Sequence, residues 1–313
     1  MKAKLILPFL AVLLAALGWT FVKRPLSVPK SMGPSLPPAP SVEGVSFSVI
    51  RGGEMESQEG FSVRGGSLLR SFISGLVAFV VEHPRGPLLI DAGVARAVSE
   101  HLNTTPLLMR TLASLTVNEP TIDALAEQGI QPGDLRGIVL THTHWDHVSG
   151  LADLREVPVW LTSQELAHAR SDDDGGKLYR QLEAERPFRL HELRFSDGAY
   201  GPFAESHDFF GDGSVVIVPM PGHTPGSIGV FVSPTSGRRI LIIGDTSWTR
   251  EGVDWPAEKP WLARRMVDHD PATVREQLVL LHQLQGRNPS LLIVPAHDAR
   301  VHHALATFPA TPR

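Results

Sequence analysis

The sequence predicts an α/β fold in which helix layers stack on mixed sheets, and three observations carry that prediction. Apolar runs of strand length alternate with helical periodicities, but irregularly. Two of those runs are joined by a hairpin turn, whereas a purely doubly wound parallel sheet needs a crossover in every connection. The chain has 313 residues, 42% of them hydrophobic, enough for the core of one large domain or two small ones.

At the N-terminus, Lys2 and Lys4 precede an uncharged run over 5–22, which Lys23 and Arg24 close. A positive start before an apolar core reads as an export signal, and the run also reaches the lower limit for a spanning helix. Residues 1–24 are therefore expected to be a signal peptide or membrane anchor. The protein would then be exported, periplasmic or anchored at an inner membrane. Ala16-Leu17-Gly18 is a small-x-small cleavage site. Residues 25–41 hold Pro25, Pro29, Pro34, Pro37, Pro38 and Pro40 among Ser and Gly, which forbids helix or paired strand. They predict an extended spacer, with a surface-docked arm as the alternative.

The folded domain is expected over 42–313. Residues 45–50 alternate apolar and polar, as in a half-buried strand. Runs 76–82 and 87–90, separated by His83-Pro84-Arg85-Gly86, form the hairpin. Residues 121–128 predict a helix with Thr121 as N-cap and Gly129 just past its end. Strands follow at 137–141 and 157–161, then a helix capped by Ser163. Further strands are expected at 215–218, 228–232, 240–243 and 291–294. Between the last two lies a helix with Asp270 as N-cap, Pro271 at its first position, a Val274/Leu278/Leu281 stripe and Gly286 as its end.

Composition narrows the chemistry. The net charge is −4 with both signs interspersed, so no basic stripe points to nucleic acid. Cysteine is absent, which excludes disulfides, thiolate metal ligands and a cysteine nucleophile.

What remains is a concentration of imidazole and carboxylate. Thr141-His142-Thr143-His144-Trp145-Asp146-His147 follows directly on the 137–140 strand. These are the ligand types that zinc and similar divalent metals take. On an extended backbone His142 and His144 leave the same face, while Asp146 and His147 fall where the strand must turn. That spacing suits two adjacent metals better than one. Three more ligand types end predicted strands: His223 within Pro221-Gly222-His223-Thr224-Pro225-Gly226, Asp245 after Ile243-Gly244, and His297 after Pro295-Ala296.

Taken in order, His142-x-His144-x-Asp146-His147, Pro-Gly-His223-Thr-Pro-Gly-Ser, Gly-Asp245 and Ala-His297-Asp298 resemble the metallo-β-lactamase superfamily. Leu88-Leu89-Ile90-Asp91-Ala92-Gly93 is similar to its early strand. The resemblance covers about 45–300. It implies a four-layer αβ/βα sandwich with a dinuclear metal site at one edge, and makes 42–313 a hydrolase domain. It assigns His142, His144 and His223 to one metal, Asp146, His147 and His297 to the second, and Asp245 to a bridge. Asp91 would orient a ligand or serve as a turn residue. The implied cofactors are two divalent ions; His-rich ligation suits zinc, and iron, manganese or cobalt would also fit. A hydroxide between the metals would attack an ester or lactone carbonyl, with Asp146 and Asp245 as the catalytic carboxylates.

Within the superfamily, a carboxylate at position 245 argues against β-lactam hydrolysis, and His144 differs from the Glu of flavodiiron members. The short stretch after His297 differs from glyoxalase II. Segments 130–140 and 150–154 are closest to the acyl-homoserine lactonase-like branch. That branch carries Tyr where this chain has Trp248, whose indole N–H is no acid. Trp248, Trp255 and Trp261 are expected to wall an apolar pocket, and Phe203, Phe209 and Phe210 to form a lid. The expected partner is a small-molecule ester or lactone. Phosphoester, organophosphate or thioester hydrolysis on the same site, and non-catalytic metal binding, are the alternatives. Oligomeric state leaves no sequence signature here.

Overall fold

The computed structural model describes residues 18–30, 33–235 and 237–310. Most of the expected export or anchor segment, residues 1–17, lies outside the described residues. Among those described, no helix is long and apolar enough to cross a membrane.

Twelve strands form two sheets among the described residues. The first seven are β1 (Ser46–Gln58), β2 (Ser71–Glu82), β3 (Leu88–Ile90), β4 (Ser114–Val117), β5 (Gly137–Val139), β6 (Val159–Leu161) and β7 (Leu190–Glu192). They make a mixed sheet of order β4-β1-β2-β3-β5-β6-β7. The others are β8 (His207–Asp208), β9 (Val215–Pro219), β10 (Ile228–Val232), β11 (Ile240–Ile242) and β12 (Leu292–Val294), ordered β12-β11-β10-β9-β8. The expected hairpin is β2–β3, antiparallel with Phe79 opposite Ile90. Beyond β3 the connections become parallel, through β5, β6 and β7.

Three apolar clusters define the layers. One, including Val49, Phe79, Ile90, Val139, Val230 and Ile242, lies between the two sheets. A second packs the other face of the first sheet, through Leu89 and Ile138, against Leu125, Leu178 and Tyr179 of helices Thr121–Glu127 and Lys177–Glu185. A third packs Val216, Phe231 and Ile293 of the second sheet against Leu281 and Leu284 of helix Pro271–Arg287. The result is the helix–sheet–sheet–helix sandwich that the resemblance implies.

Several boundaries differ from expectation. β1 runs eight residues beyond 50 through Arg51-Gly52-Gly53-Glu54-Met55, where the local pattern gives no strand signal. Pairing with β2 and β4 supplies what propensity lacks, with a bulge between Arg51 and Gly53. The N-caps are Pro120 and Thr162, not Thr121 and Ser163; Thr162 Oγ1 accepts from Glu165 N. Asp270 does cap its helix, but Gly286 sits inside the last turn. Proline-rich residues 26–30 and 33–40 contact the domain: Leu26 N donates to Pro256 O, Arg239 Nη1 to Pro37 O, and Leu36 joins the third cluster.

A buried histidine outside the candidate ligand set gives the fold a pH dependence. His302 lies edge-on to Phe79, its Nε2–H donates to Pro295 O at 3.0 Å, and its Nδ1 is buried without a partner. Burial pushes its pKa down to about 4. An unfolded imidazole titrates near ~6.5, so between those values the unfolded chain binds a proton that the folded chain refuses. Stability is then complete above pH ~6.5 and is lost as pH falls towards ~4, by on the order of 3 kcal/mol. Denaturant unfolding at about pH 7 and about pH 4.5 should show this loss, and His302→Gln should remove it. An equal pH slope in both proteins would show that His302 is not its source.

Candidate metal centre

The site forms where five strands of common direction end. β3 and β5 are parallel, β11 and β12 are parallel, and β9 runs antiparallel to β10, which is antiparallel to β11. Ile228 N donates to Thr141 O at 3.1 Å and stitches the two sheets together there. After β5 the chain stays extended to His144 and then makes one helical turn, Trp145–Val148. The extended part delivers His142 and His144; the turn delivers Asp146 and His147.

All seven proposed ligands are brought together, in two groups. Donor atoms of His142, His144, His223 and Asp245 lie within 4.8 Å of one another, as do those of Asp146, His147 and His297. Asp245 faces both. Its Oδ2 is 3.4 Å from His223 Nε2 and 3.9 Å from His142 Nε2. Its Oδ1 is 3.3 Å from His147 Nε2 and 3.0 Å from His297 Nε2. Asp146 Oδ2 is 3.3 Å from His297 Nε2.

The rings are held from behind. Asp91 Oδ2 is 2.7 Å from His147 Nδ1, and its Oδ1 accepts from Thr141 N at 2.7 Å. Asp91 is also a turn residue, with a φ of 59° that few side chains other than Asp and Asn tolerate. His297 Nδ1 is 2.9 Å from Gly75 O. His223 Nδ1 is 2.9 Å from Asp268 Oδ1, which also accepts from buried Lys259 at 2.7 Å; Lys259 donates to Asp245 O as well. With Nδ1 occupied in this way, Nε2 of His147, His297 and His223 is aimed at the centre, whereas His144 presents Nδ1, 2.9 Å from His223 Nε2.

The donor set fits cations. Nε2 atoms of His142 and His147 are buried with no hydrogen-bond partner, which is costly unless something positive sits against them. Burial, then the neighbouring imidazoles of His147 and His223, push the pKa of His142 well down. Burial acts the same way on His147, but Asp91, Asp146 and Asp245 outweigh it and raise its pKa. Asp245 is itself buried, yet His297 and His147 hold it ionised. The carboxylates thus favour positive charge at the centre, the charge that divalent ions bring.

A cavity of about 210 Å³ opens at the centre, bordered by His144, Asp146, Asp245 and His297. Its other walls are mainly apolar, including Met55, Leu76, Leu108, Met109, Leu112 and Met266, with Ser57, Ser74, Thr105 and Asp174 among the polar lining. Of the three tryptophans expected there, only Trp248 lines it. Trp248 Nε1 donates to Asp245 Oδ2 at 2.7 Å, so the indole N–H is committed to the carboxylate and not turned to a substrate. Trp255 lies under Lys23, and Trp261 points outward, half exposed. The phenylalanine lid is not there. Phe203 packs in the core against Phe231, while Phe210 stacks on His83 and Phe209 meets Trp160 edge-on, beside the start of β9 and far from its site end.

Three residues in the site had no sequence signal of their own: Lys259 and Asp268 lie in an irregular stretch, and Glu165 reads as an ordinary helix residue. Met55 and Leu76 of the cavity wall come from β1 and β2, and Leu108, Met109, Leu112 and Met266 from helices Leu107–Leu112 and Trp261–Val267, neither of which has a buried residue or a side-chain cap.

A two-sheet sandwich with histidines and aspartates at one edge defines a metal-dependent hydrolase. Residues 75–297 match the metallo-beta-lactamase superfamily, and the chain belongs to it. A probable metallo-hydrolase of Mycobacterium tuberculosis is 30% identical over 233 residues, covering 70% of this chain and 73% of that protein. An N-acyl homoserine lactonase of Bacillus thuringiensis is 23% identical over 238 residues, covering 74% and 84%. Among solved structures, an N-acyl homoserine lactone hydrolase with N-hexanoyl-L-homoserine at its metal centre superposes with a TM-score of 0.67. At 17% identity over 86% of this chain and 98% of that one, it establishes the fold.

Proposed function

We propose that this hydrolase works with two divalent cations, zinc first among them, and opens the acyl C–O bond of an ester or lactone. One observation carries the reading: the two oxygens of Asp245 face two separate ligand groups at the floor of an apolar cavity. His142, His144 and His223 would hold one cation, Asp146, His147 and His297 the other, with Asp245 between them. When bound, such a pair supplies a nucleophilic hydroxide at neutral pH and Lewis-acid polarisation of the carbonyl.

The chain's own groups do the rest. The apolar wall excludes water and seats the acyl part, leaving the carbonyl over the histidines. Hydrolysis adds water across the acyl C–O bond: oxygen joins the carbonyl carbon, and the departing alkoxide needs a proton. Asp146 is the carboxylate placed to pass that proton, since its side chain is the more exposed of the two at the cavity floor. Asp245, held by Trp248, keeps its position throughout. The resemblance to N-acyl homoserine lactonases supports a lactone among the substrates.

The test is a zinc titration followed by a substrate panel. We expect two zinc ions per chain, and turnover of a lactone or aryl ester that rises with the second. Turnover of an aryl phosphodiester alone would shift the reading to phosphoester chemistry. Two bound ions with every substrate at the blank rate would end the hydrolytic assignment.

A further inference from the structure

Apolar side chains are exposed around the mouth of the cavity. Leu107, Leu108 and Leu112 are exposed on one flanking helix, and Trp261 and Leu262 on the other. The loop after Phe61 carries Leu69, which is 98% exposed. Leu108, Leu112, Leu262 and Phe61 also line the cavity, so this rim is continuous with the acyl-binding wall. Solvated patches of that kind mark interaction surfaces.

What covers the rim is indicated by the chain that ends there. The uncharged run extends from Leu5 to Val22. Its last residues are docked on the domain: Phe21 lines the cavity and meets Phe61 edge-on at 6.1 Å, and Trp261 N donates to Thr20 Oγ1. Trp19 is exposed at the same place. No spacer therefore separates the apolar run from the cavity mouth. A bilayer that received the uncharged run would meet the rim at Thr20 and Phe21. Exposed Arg24 and Arg265, with Arg110 on the Leu107–Leu112 helix, belong to the segments that form it, and such cations suit anionic headgroups. Tryptophan at Trp19 and Trp261 suits the headgroup level of a bilayer.

We propose that this rim docks on a lipid bilayer surface and that the cavity draws its substrate from that surface. The substrate is then an amphiphilic, long-chain ester or lactone. This substrate class rests on the ester or lactone reading above; the docking does not.

The cysteine-free chain makes the test clean. Full-length Leu107→Cys and Trp261→Cys, each carrying a nitrobenzoxadiazole probe, are mixed with phosphatidylcholine–phosphatidylglycerol vesicles. Arg136→Cys, just before β5 and at the opposite end of the strand that leads into the His cluster, is the control. Emission should shift to the blue and brighten at the two rim positions, and stay unchanged at the control. Silent rim probes on protein that floats with the vesicles would overturn docking. So would probes already shielded before vesicles are added, which would mean that the chain's own apolar run or a second copy covers the rim.

The second arm compares aryl esters of increasing acyl length dissolved as monomers in vesicle-free buffer, so that each added methylene leaves water for the cavity. kcat/KM should rise roughly fourfold per added CH2 until the cavity is filled, the value of one buried methylene. A flat series on an active enzyme would overturn the long-chain substrate. Rim probes that insert while no ester turns over would support docking and remove the ester reading.

Discussion

Replacing Asp245 with asparagine is expected to cut kcat/KM on the order of a thousandfold, about 4 kcal/mol of transition-state stabilisation. The structure also indicates which cation would go. An amide has one oxygen and one NH2, and the NH2 repels a cation. Trp248 Nε1–H sits 2.7 Å from Asp245 Oδ2 and needs an acceptor there. Asparagine therefore keeps its oxygen towards Trp248, His142 and His223, and turns its NH2 towards His147 and His297, which now face Oδ1. Zinc content should fall from two towards one per chain, with the loss at the Asp146/His147/His297 group. Cobalt substitution would show this directly, as the d–d spectrum of one site persisting without the other. A variant that kept both ions and its rate would remove the bridging role of Asp245.

Much of this centre was legible in the sequence because metal ligands impose spacing. His142, His144, Asp146 and His147 are consecutive enough to read as one device, and His223, Asp245 and His297 each follow an apolar run of strand length. The layers were legible for a similar reason: runs such as 240–243 and 291–294 are too short and too apolar to be anything but buried strands. Apart from Asp91, the groups that hold the candidate ligands were not legible. Asp268, Lys259 and Glu165 contact the ligand loops across separations of 45, 14 and 22 residues, and no local pattern encodes such contacts. The cavity wall escaped for the opposite reason. Helices Leu107–Leu112 and Trp261–Val267 are short and bury no residue, so they give no amphipathic stripe to read. Aromatic residues near a motif in sequence were a poor guide to its lining, because Phe210 and Trp261 are directed elsewhere by the strands and loops that carry them.

The second large effect is expected at one of the groups the sequence did not announce. The buried carboxylate of Glu165 ties two ligand loops together. Its Oε1 accepts from Thr143 N at 2.8 Å and Thr143 Oγ1 at 2.7 Å, between His142 and His144. Its Oε2 accepts from Thr224 Oγ1 at 2.5 Å and Gly226 N at 3.2 Å, just after His223. The approach is so close that a Cβ on Gly226 would stand 2.2 Å from Glu165 N. Glu165→Ala strands these buried donors and should cost on the order of 4 kcal/mol of stability. It should also weaken zinc at the His142/His144/His223 group roughly 10- to 100-fold, because the rings lose their common support. Glu165→Gln should fall between, since its amide keeps one acceptor but turns a donor towards donors. Zinc held by the folded loops in preference to the unfolded chain would add stability by mass action, so saturating zinc should recover part of the loss. Thermal unfolding with and without zinc, together with a competitive zinc titration, measures both effects. An alanine variant that is destabilised but binds zinc as tightly as the parent would reduce Glu165 to a packing role, and the two loops would then be positioned by their strands alone.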